Sequence, residues 1–350
     1  MLNSTQFKYR VKVNYKTKVL VRSPPDAFAT RYKRARSVVI NSGRVLSAPT
    51  KHVLGLLCLI FLLGCGSPDG EQASDQLYIV ATTSMIADAA ANIVQDSARV
   101  EGLMGPGVDP HLYKATRSDL TKLREADIIF YNGLHLEGKM GDILAKLASQ
   151  KPVFAVGDGI PEDRLITLTG DTYDPHIWFD VSLWKEAVTY MGQQLAAEDS
   201  THAEFYRQNT AEYTRQLDEL HQWTQAEIAT IPEASRVLIT AHDAFNYFGR
   251  AYDIEVKGLQ GISTVSEFGL KDVSNLVSFI SDRQIKAVFV ESSVPTRSLE
   301  AVVSGVRERG QDVKIGGTLY SDAMGEAGTE AGTYVGMVRA NVNTITSSLK

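Results

Sequence analysis

The sequence predicts an α/β protein of two pseudo-symmetric βα lobes with parallel sheets, joined by one long rigid helix. Three observations carry that expectation. Short β-branched apolar runs alternate with helical segments, the pattern of parallel strands buried on both faces. A segment repeats: "ADAAANIVQDSARVEGLMG" (87–105) aligns with "DAFNYFGRAYDIEVKGLQG" (243–261), both ending in Val-x-Gly-Leu-x-Gly. Between them, "STHAEFYRQNTAEYTRQLDELHQWTQAEIATI" (200–231) runs without Pro or Gly and stops at Pro232. A chain of 350 residues also exceeds one ordinary core.

The elements follow in order. Residues 1–52 carry 12 Lys/Arg against the single acid Asp26, and "VLGLLCLIFLLG" (53–64) is an uncharged apolar run ending at Cys65. Twelve helical residues span only about 18 Å, too short for a bilayer and right for a signal-peptide core. "LLGC" resembles the lipobox of bacterial lipoproteins, which implies cleavage before Cys65 and lipidation of it. Residues 1–64 are thus expected to be a leader; its basic flank is longer than usual, suggesting a true start near Lys51. Without 1–52, the remaining chain holds 24 Lys/Arg and 40 Asp/Glu, near −16 rather than −5. That balance argues against nucleic-acid partners.

"GSPDGEQASDQ" (66–76) reads as a tether, giving a lipid-anchored segment 65–76. The strand-like runs are "LYIVATT", "ADIIFYNG", "PVFAVG", "RVLITAH", "KAVFVESS" and "VKIGGTLYS". They divide the mature chain into an N-terminal lobe (77–199), a linking helix (200–232) and a C-terminal lobe (233–350). "VSLWKEAVTYMGQQLAAE" (181–198) is a further helix, and Ser200 is a candidate N-cap for the linker.

Ligands of open parallel sheets sit beyond the C-terminal strand ends. Four chemistry-bearing residues lie there: His111 in "GPGVDPHLY", His176 in "YDPHIWFD", His242 ending "VLITAH", and Asp322 after "GGTLYS". Three imidazoles and a carboxylate complete a tetrahedral Zn²⁺ set in a cleft between the lobes. Proline before His111 and His176 stiffens the backbone presenting each ring. Asp109 and Asp174 could hold an imidazole N–H from behind or cap a turn, and Glu291 is a fifth candidate ligand near the same edge or a group that supports it from behind. His202 and His221 read as solvated residues of the linker, and His135 as a loop residue that could line the cleft.

The motifs "MIADAAANI", "GLMGPGVDPHLYKAT", "ADIIFYNGLHLEGKMGDIL", "DPHIWFD", "AHDAFNYFGRAY", "FVESS" and "SDAMGEAGTEAGTYVGM" resemble the TroA-like zinc/manganese substrate-binding proteins of ABC transporters. The resemblance spans essentially all of 77–350. It implies a non-enzymatic, extracytoplasmic, membrane-anchored lipoprotein, a monomer that captures a divalent metal with high affinity and delivers it to an ABC permease. Its ligands would be His111, His176, His242 and Asp322. Zinc-dedicated relatives often carry a His-rich loop that 134–160 lacks, and manganese-dedicated ones tend to have Glu at the position of His242. Three neutral imidazoles favour Zn²⁺ over the harder Mn²⁺ as cargo. The alternatives are a zinc-dependent hydrolase, although no His-Glu-x-x-His helix is present, and an iron-chelate binder of similar architecture. No dinucleotide or P-loop motif occurs.

Overall fold

A computed structural model describes residues 76–170 and 172–350. The leader, Cys65 and the tether through residue 75 lie outside the described residues. The first half of the fold is a four-stranded parallel sheet of order β2-β1-β3-β4, made of β1 (Leu77–Ala81), β2 (Ala98–Gly102), β3 (Ile128–Tyr131) and β4 (Val153–Ala155). Helices α1 (Ser84–Val94), α2 (Arg117–Glu125) and α3 (Gly141–Ala148) connect them.

The second half repeats the scheme. β5 (Val237–His242) pairs in parallel with β6 (Glu255–Gln260), and β7 (Ala287–Glu291) with β8 (Lys314–Leu319). These are separate ladders, but β5 packs beside β7, so the spatial order β6-β5-β7-β8 copies the first sheet. The connecting helices are α6 (Asn246–Tyr252), α7 (Leu270–Asp282) and α8 (Arg297–Glu308), and α9 (Tyr334–Leu349) closes the chain.

The aligned repeat is α1–β2 against α6–β6. Its shared glycine has a packing reason in the second copy. A Cβ on Gly258 would come within 2.5 Å of the His242 carbonyl carbon and the Asp243 amide nitrogen. Only glycine lets β6 lie this close to the end of β5.

The strands β2 and β6 are absent from the apolar runs read from sequence. Both are edge strands, and each keeps exposed or half-buried positions. An edge strand wetted on one side does not spell a continuous apolar run.

Two helices join the halves: α4 (Val181–Glu198) and α5 (Ala203–Ala229). The N-cap of α5 is His202, not Ser200. Asp199 Oδ1 accepts from the amides of Thr201 and His202 and so occupies the turn before the helix. Leu217, Leu220 and Ile228 are buried at helical spacing, each worth about 1.5–3 kcal/mol of apolar burial. α5 packs on α1 and α4 from the first half and on α6 and α9 from the second. The linker is therefore a shared wall, and one apolar cluster runs from Ile79 through Leu217 to Ile345. The histidines expected to be solvated are engaged: His202 Nδ1 meets Asp199 Oδ2 at 2.7 Å, and His221 Nδ1 meets the Tyr252 hydroxyl at 3.1 Å.

Candidate metal centre

His111 sits in the loop between β2 and α2. That loop is pinned at its far end by the α2 capping box, where Thr116 Oγ1 accepts from the Asp119 amide and Asp119 Oδ2 accepts from the Thr116 amide. The Tyr113 hydroxyl donates to the same Asp119 oxygen at 2.7 Å. His176 opens a short 3₁₀ turn, Ile177–Phe179, leading into α4. Asn132 Nδ2, just past β3, donates to the Pro175 carbonyl at 3.0 Å and holds that turn.

His242 ends β5. Asp322 follows β8 in a loop fixed on three sides. Asn341 brackets Tyr320 by bonding both its amide and its carbonyl, Trp178 Nε1 donates to the Ser321 carbonyl, and the Met324 amide donates to Ser84 Oγ.

The four residues predicted from sequence converge. One ligand atom from each of His111, His176, His242 and Asp322 lies within 4.8 Å of all the others, and all four residues are buried. The nitrogen that faces the group is Nε2 in each ring. His111 Nε2 is 3.3 Å from His176 Nε2. Asp322 oxygens lie 3.3 Å from His242 Nε2, 3.6 Å from His176 Nε2 and 3.9 Å from His111 Nε2. A tetrahedral ion with donors at about 2.0–2.1 Å has donor–donor edges of about 3.3 Å. The group is at that scale.

The far sides of two rings are held. His176 Nδ1–H donates to Asp174 Oδ1 at 2.7 Å, and Asp174 also accepts from the His176 amide at 3.0 Å. Glu291 Oε1 accepts from the His242 amide at 2.8 Å; its other oxygen is 2.6 Å from His242 Nδ1, an ion-pair contact out of line for a hydrogen bond. Of the two roles open to Asp109, imidazole partner or turn cap, the second is the one observed. Its Oδ1 accepts from the His111 amide at 2.8 Å and its Oδ2 from Thr264 Oγ1 at 2.6 Å, so it caps the turn and does not reach the ring. His135 is exposed, with a φ of 65°, off the site.

Thr264 and Asn246 went unnoticed in the sequence. Asn246 Nδ2 donates to Asp174 Oδ2 at 3.1 Å. Nothing in "GISTVS" or "DAFNYF" marks these residues, because their significance is a contact 155 or 72 positions away.

The electrostatics are those of a buried site holding a carboxylate. Burial pushes His111 down to about 4, against the pull of Asp322. Burial also opposes charge on His242, but the Glu291 and Asp322 carboxylates outweigh it and raise this histidine well above its ordinary value. Burial works against ionising Asp322 as well, yet His242 and the other two rings hold it far below the usual carboxylate range. Neither Asp322 oxygen has a hydrogen-bond donor among the described residues, nor has His242 Nε2 a hydrogen-bond partner. An ionised buried carboxylate without donors is costly unless a cation completes it.

Residues 79–348 match the family described as zinc-uptake complex component A, periplasmic. The chain is 54% identical over 297 residues to the manganese-binding lipoprotein MntA of Bacillus subtilis, covering 84% of this chain and 97% of the relative. It is 47% identical over 284 residues to the zinc-binding protein TroA of Treponema pallidum, covering 81% and 92%. The solved structure of that TroA aligns with a TM-score of 0.77 over 78% of this chain and 99% of its own. Fe(III)-bound YtgA from Chlamydia trachomatis, 27% identical, aligns at 0.72 over 78% and 98%. With one family matched across both halves of the fold and relatives this similar along nearly their full length, the chain belongs to the periplasmic zinc-uptake component A family of metal-transporter solute-binding proteins.

Proposed function

We propose that the protein captures a divalent transition metal outside the cytoplasmic membrane and delivers it to an ABC permease, with Zn²⁺ as first cargo. His111, His176 and His242 each give Nε2, and Asp322 gives a carboxylate oxygen. The observation that carries this reading is the pair of donorless, buried Asp322 oxygens facing three Nε2 atoms at tetrahedral spacing. Asp322 as fourth ligand fills the position a hydrolase keeps for water, which disfavours the zinc-hydrolase reading, as does membership of a transport family. Three imidazoles at one point also have no use in a binder of iron chelates.

One observation favours Mn²⁺ as a second reading. Both Asp322 oxygens face the rings, so bidentate ligation would raise the oxygen share that a harder ion prefers. The name of the 54%-identical MntA supports the same alternative. Elemental analysis of protein purified from its host, followed by Zn²⁺/Mn²⁺ competition, separates them. Stoichiometric metal that persists at full affinity in Asp322→Ala would overturn the site.

The lipid anchor belongs to this proposal too. Relatives named lipoproteins support acylation at Cys65, and incorporation of labelled palmitate that survives Cys65→Ala would refute it. The mature protein works as a monomer whose lobes are 77–199 and 233–350, with 200–232 between them.

A further inference from the structure

The two Asp-Pro-His turns share more than their sequence. In each, the aspartate Oδ1 accepts from the backbone amide of its own histidine, at 2.8 Å for Asp109–His111 and 3.0 Å for Asp174–His176. In each, the other oxygen leaves the first half of the fold and accepts from a side chain of the second. Thr264 Oγ1 donates to Asp109 Oδ2 at 2.6 Å, and Asn246 Nδ2 donates to Asp174 Oδ2 at 3.1 Å.

We propose that these aspartates are interlobe latches, and that Thr264 and Asn246 are positioning residues that hold His111 and His176 in ligating geometry from across the boundary. The inference rests on the metal site proposed above.

The second half anchors both latches near its own ligand. Gln260 is the register partner of His242 on β6. Its Nε2 donates to the carbonyls of Thr264 and Ser266, fixing the loop that carries Thr264. A continuous path therefore runs from His242 through Gln260 and Thr264 to Asp109 and His111. Asn246 stands four residues after His242, and its neighbour Tyr247 donates from its hydroxyl to the Asp174 carbonyl at 2.9 Å. The aspartates behind the first half's imidazoles thus complete their hydrogen bonds only when the halves are together.

The consequence is kinetic. A latch that forms only on closure leaves metal entry into the open form untouched and slows escape from the closed one. Loss of one hydrogen bond to a carboxylate corresponds to about a tenfold effect. The Thr264 latch lies at the more open side, since His111 keeps slight exposure (3%) and its neighbour Leu112 is half exposed, whereas His176 and His242 have none.

The test is stopped-flow transfer of Zn²⁺ from the full-length protein to excess chelator, beside the association rate and the chemical-denaturation midpoint of the metal-free protein. In Thr264→Val the dissociation rate should rise about tenfold or more, with association within about twofold and Thr264→Ser restoring the wild-type rate. Asn246→Ala should show the same split, and it decides the matter should Thr264→Val not fold. Wild-type release rates in both variants, while wild type binds one Zn²⁺ and Asp322→Ala does not, would overturn the latches and leave the site standing. Failure of wild type to bind Zn²⁺ or Mn²⁺ would overturn both.

Discussion

Glu291→Gln isolates the part of metal capture that depends on a proton. The Glu291 side chain is fully buried, accepts from the His242 amide and sits 2.6 Å from His242 Nδ1. With Asp322 on the other side of the ring, it raises the His242 pKa well above the ordinary value, which favours the doubly protonated ring in the metal-free protein near neutral pH. An ion can use Nε2 only after its proton leaves. His111, pushed down to about 4, is already free of its proton over the same range. Capture by wild type should therefore release a proton from His242, and apparent affinity should fall as pH falls. The glutamine keeps shape and an acceptor for the amide but removes the charge. Intrinsic Zn²⁺ affinity should drop about 10–100-fold, as for loss of a partner that orients a ligating histidine. Proton release at pH 7 should shrink at the same time, because one of the two carboxylates that held the proton is gone. Calorimetry in two buffers of different ionisation enthalpy reads both quantities. Affinity independent of pH from 5 to 8 in wild type, or equal proton release in the two proteins, would refute this account.

Three further outcomes can be checked directly. Saturating Zn²⁺ should raise the melting temperature reversibly, by about 4 kcal/mol of added stability at a thousandfold excess over Kd, and a wild-type-sized shift in His176→Ala would count against the site. In the metal-free protein, the lowered Asp322 contributes stability above its unfolded value of about 4 that is lost as pH falls, and the raised His242 contributes stability below about 6.5 that is lost as pH rises through its folded value. The urea midpoint of wild type relative to Asp322→Asn should accordingly be greatest between those limits, and a difference constant from pH 3 to 9 would contradict the pairing. Gly192→Ala would drive a methyl into Thr210 where α4 packs on α5, costing about 1–3 kcal/mol by denaturant titration; a change under about 0.5 kcal/mol would show that the contact yields.

The candidate cluster was legible because its chemistry is local. A histidine at a strand end, or behind a proline in a loop, declares where it stands, and His111, His176, His242 and Asp322 needed only a parallel α/β fold to meet. What failed to show was whatever depends on distant contacts or on a wetted edge. Asp109 and Asp174 occupy identical tripeptides, yet only Asp174 reaches its imidazole, because the packing around each turn differs. β2 and β6 alternate charged with apolar or small residues, so a search for continuous apolar runs passes over them. The α5 cap fell to His202 because Asp199 had already bonded the amides of Thr201 and His202 in the turn before the helix.

The repeated strand order explains why support for the site is so uneven. Each half places one buried glutamate across the C-terminal ends of its two central strands. In the first half, Glu137 accepts from Thr82 Oγ1 past β1 and from the Asn132 amide past β3, both at 2.7 Å. In the second half, Glu291 ends β7 and accepts from the amide of His242, which ends β5. The two carboxylates do the same structural task, closing backbone donors where neighbouring strands finish. Only in the second half does the bridged strand end in an imidazole. There the carboxylate also meets a ring nitrogen, and a device for finishing strands helps to raise the pKa of a histidine in the candidate cluster. In the first half the bridged position is a threonine, and burial raises the Glu137 pKa with no histidine beside it to draw it down. Of the two bridged strand ends, only that of the second half contributes a side chain to the candidate cluster. The first half's members of the cluster, His111 and His176, stand in its longer loops, each beside an aspartate that also accepts from a side chain of the second half.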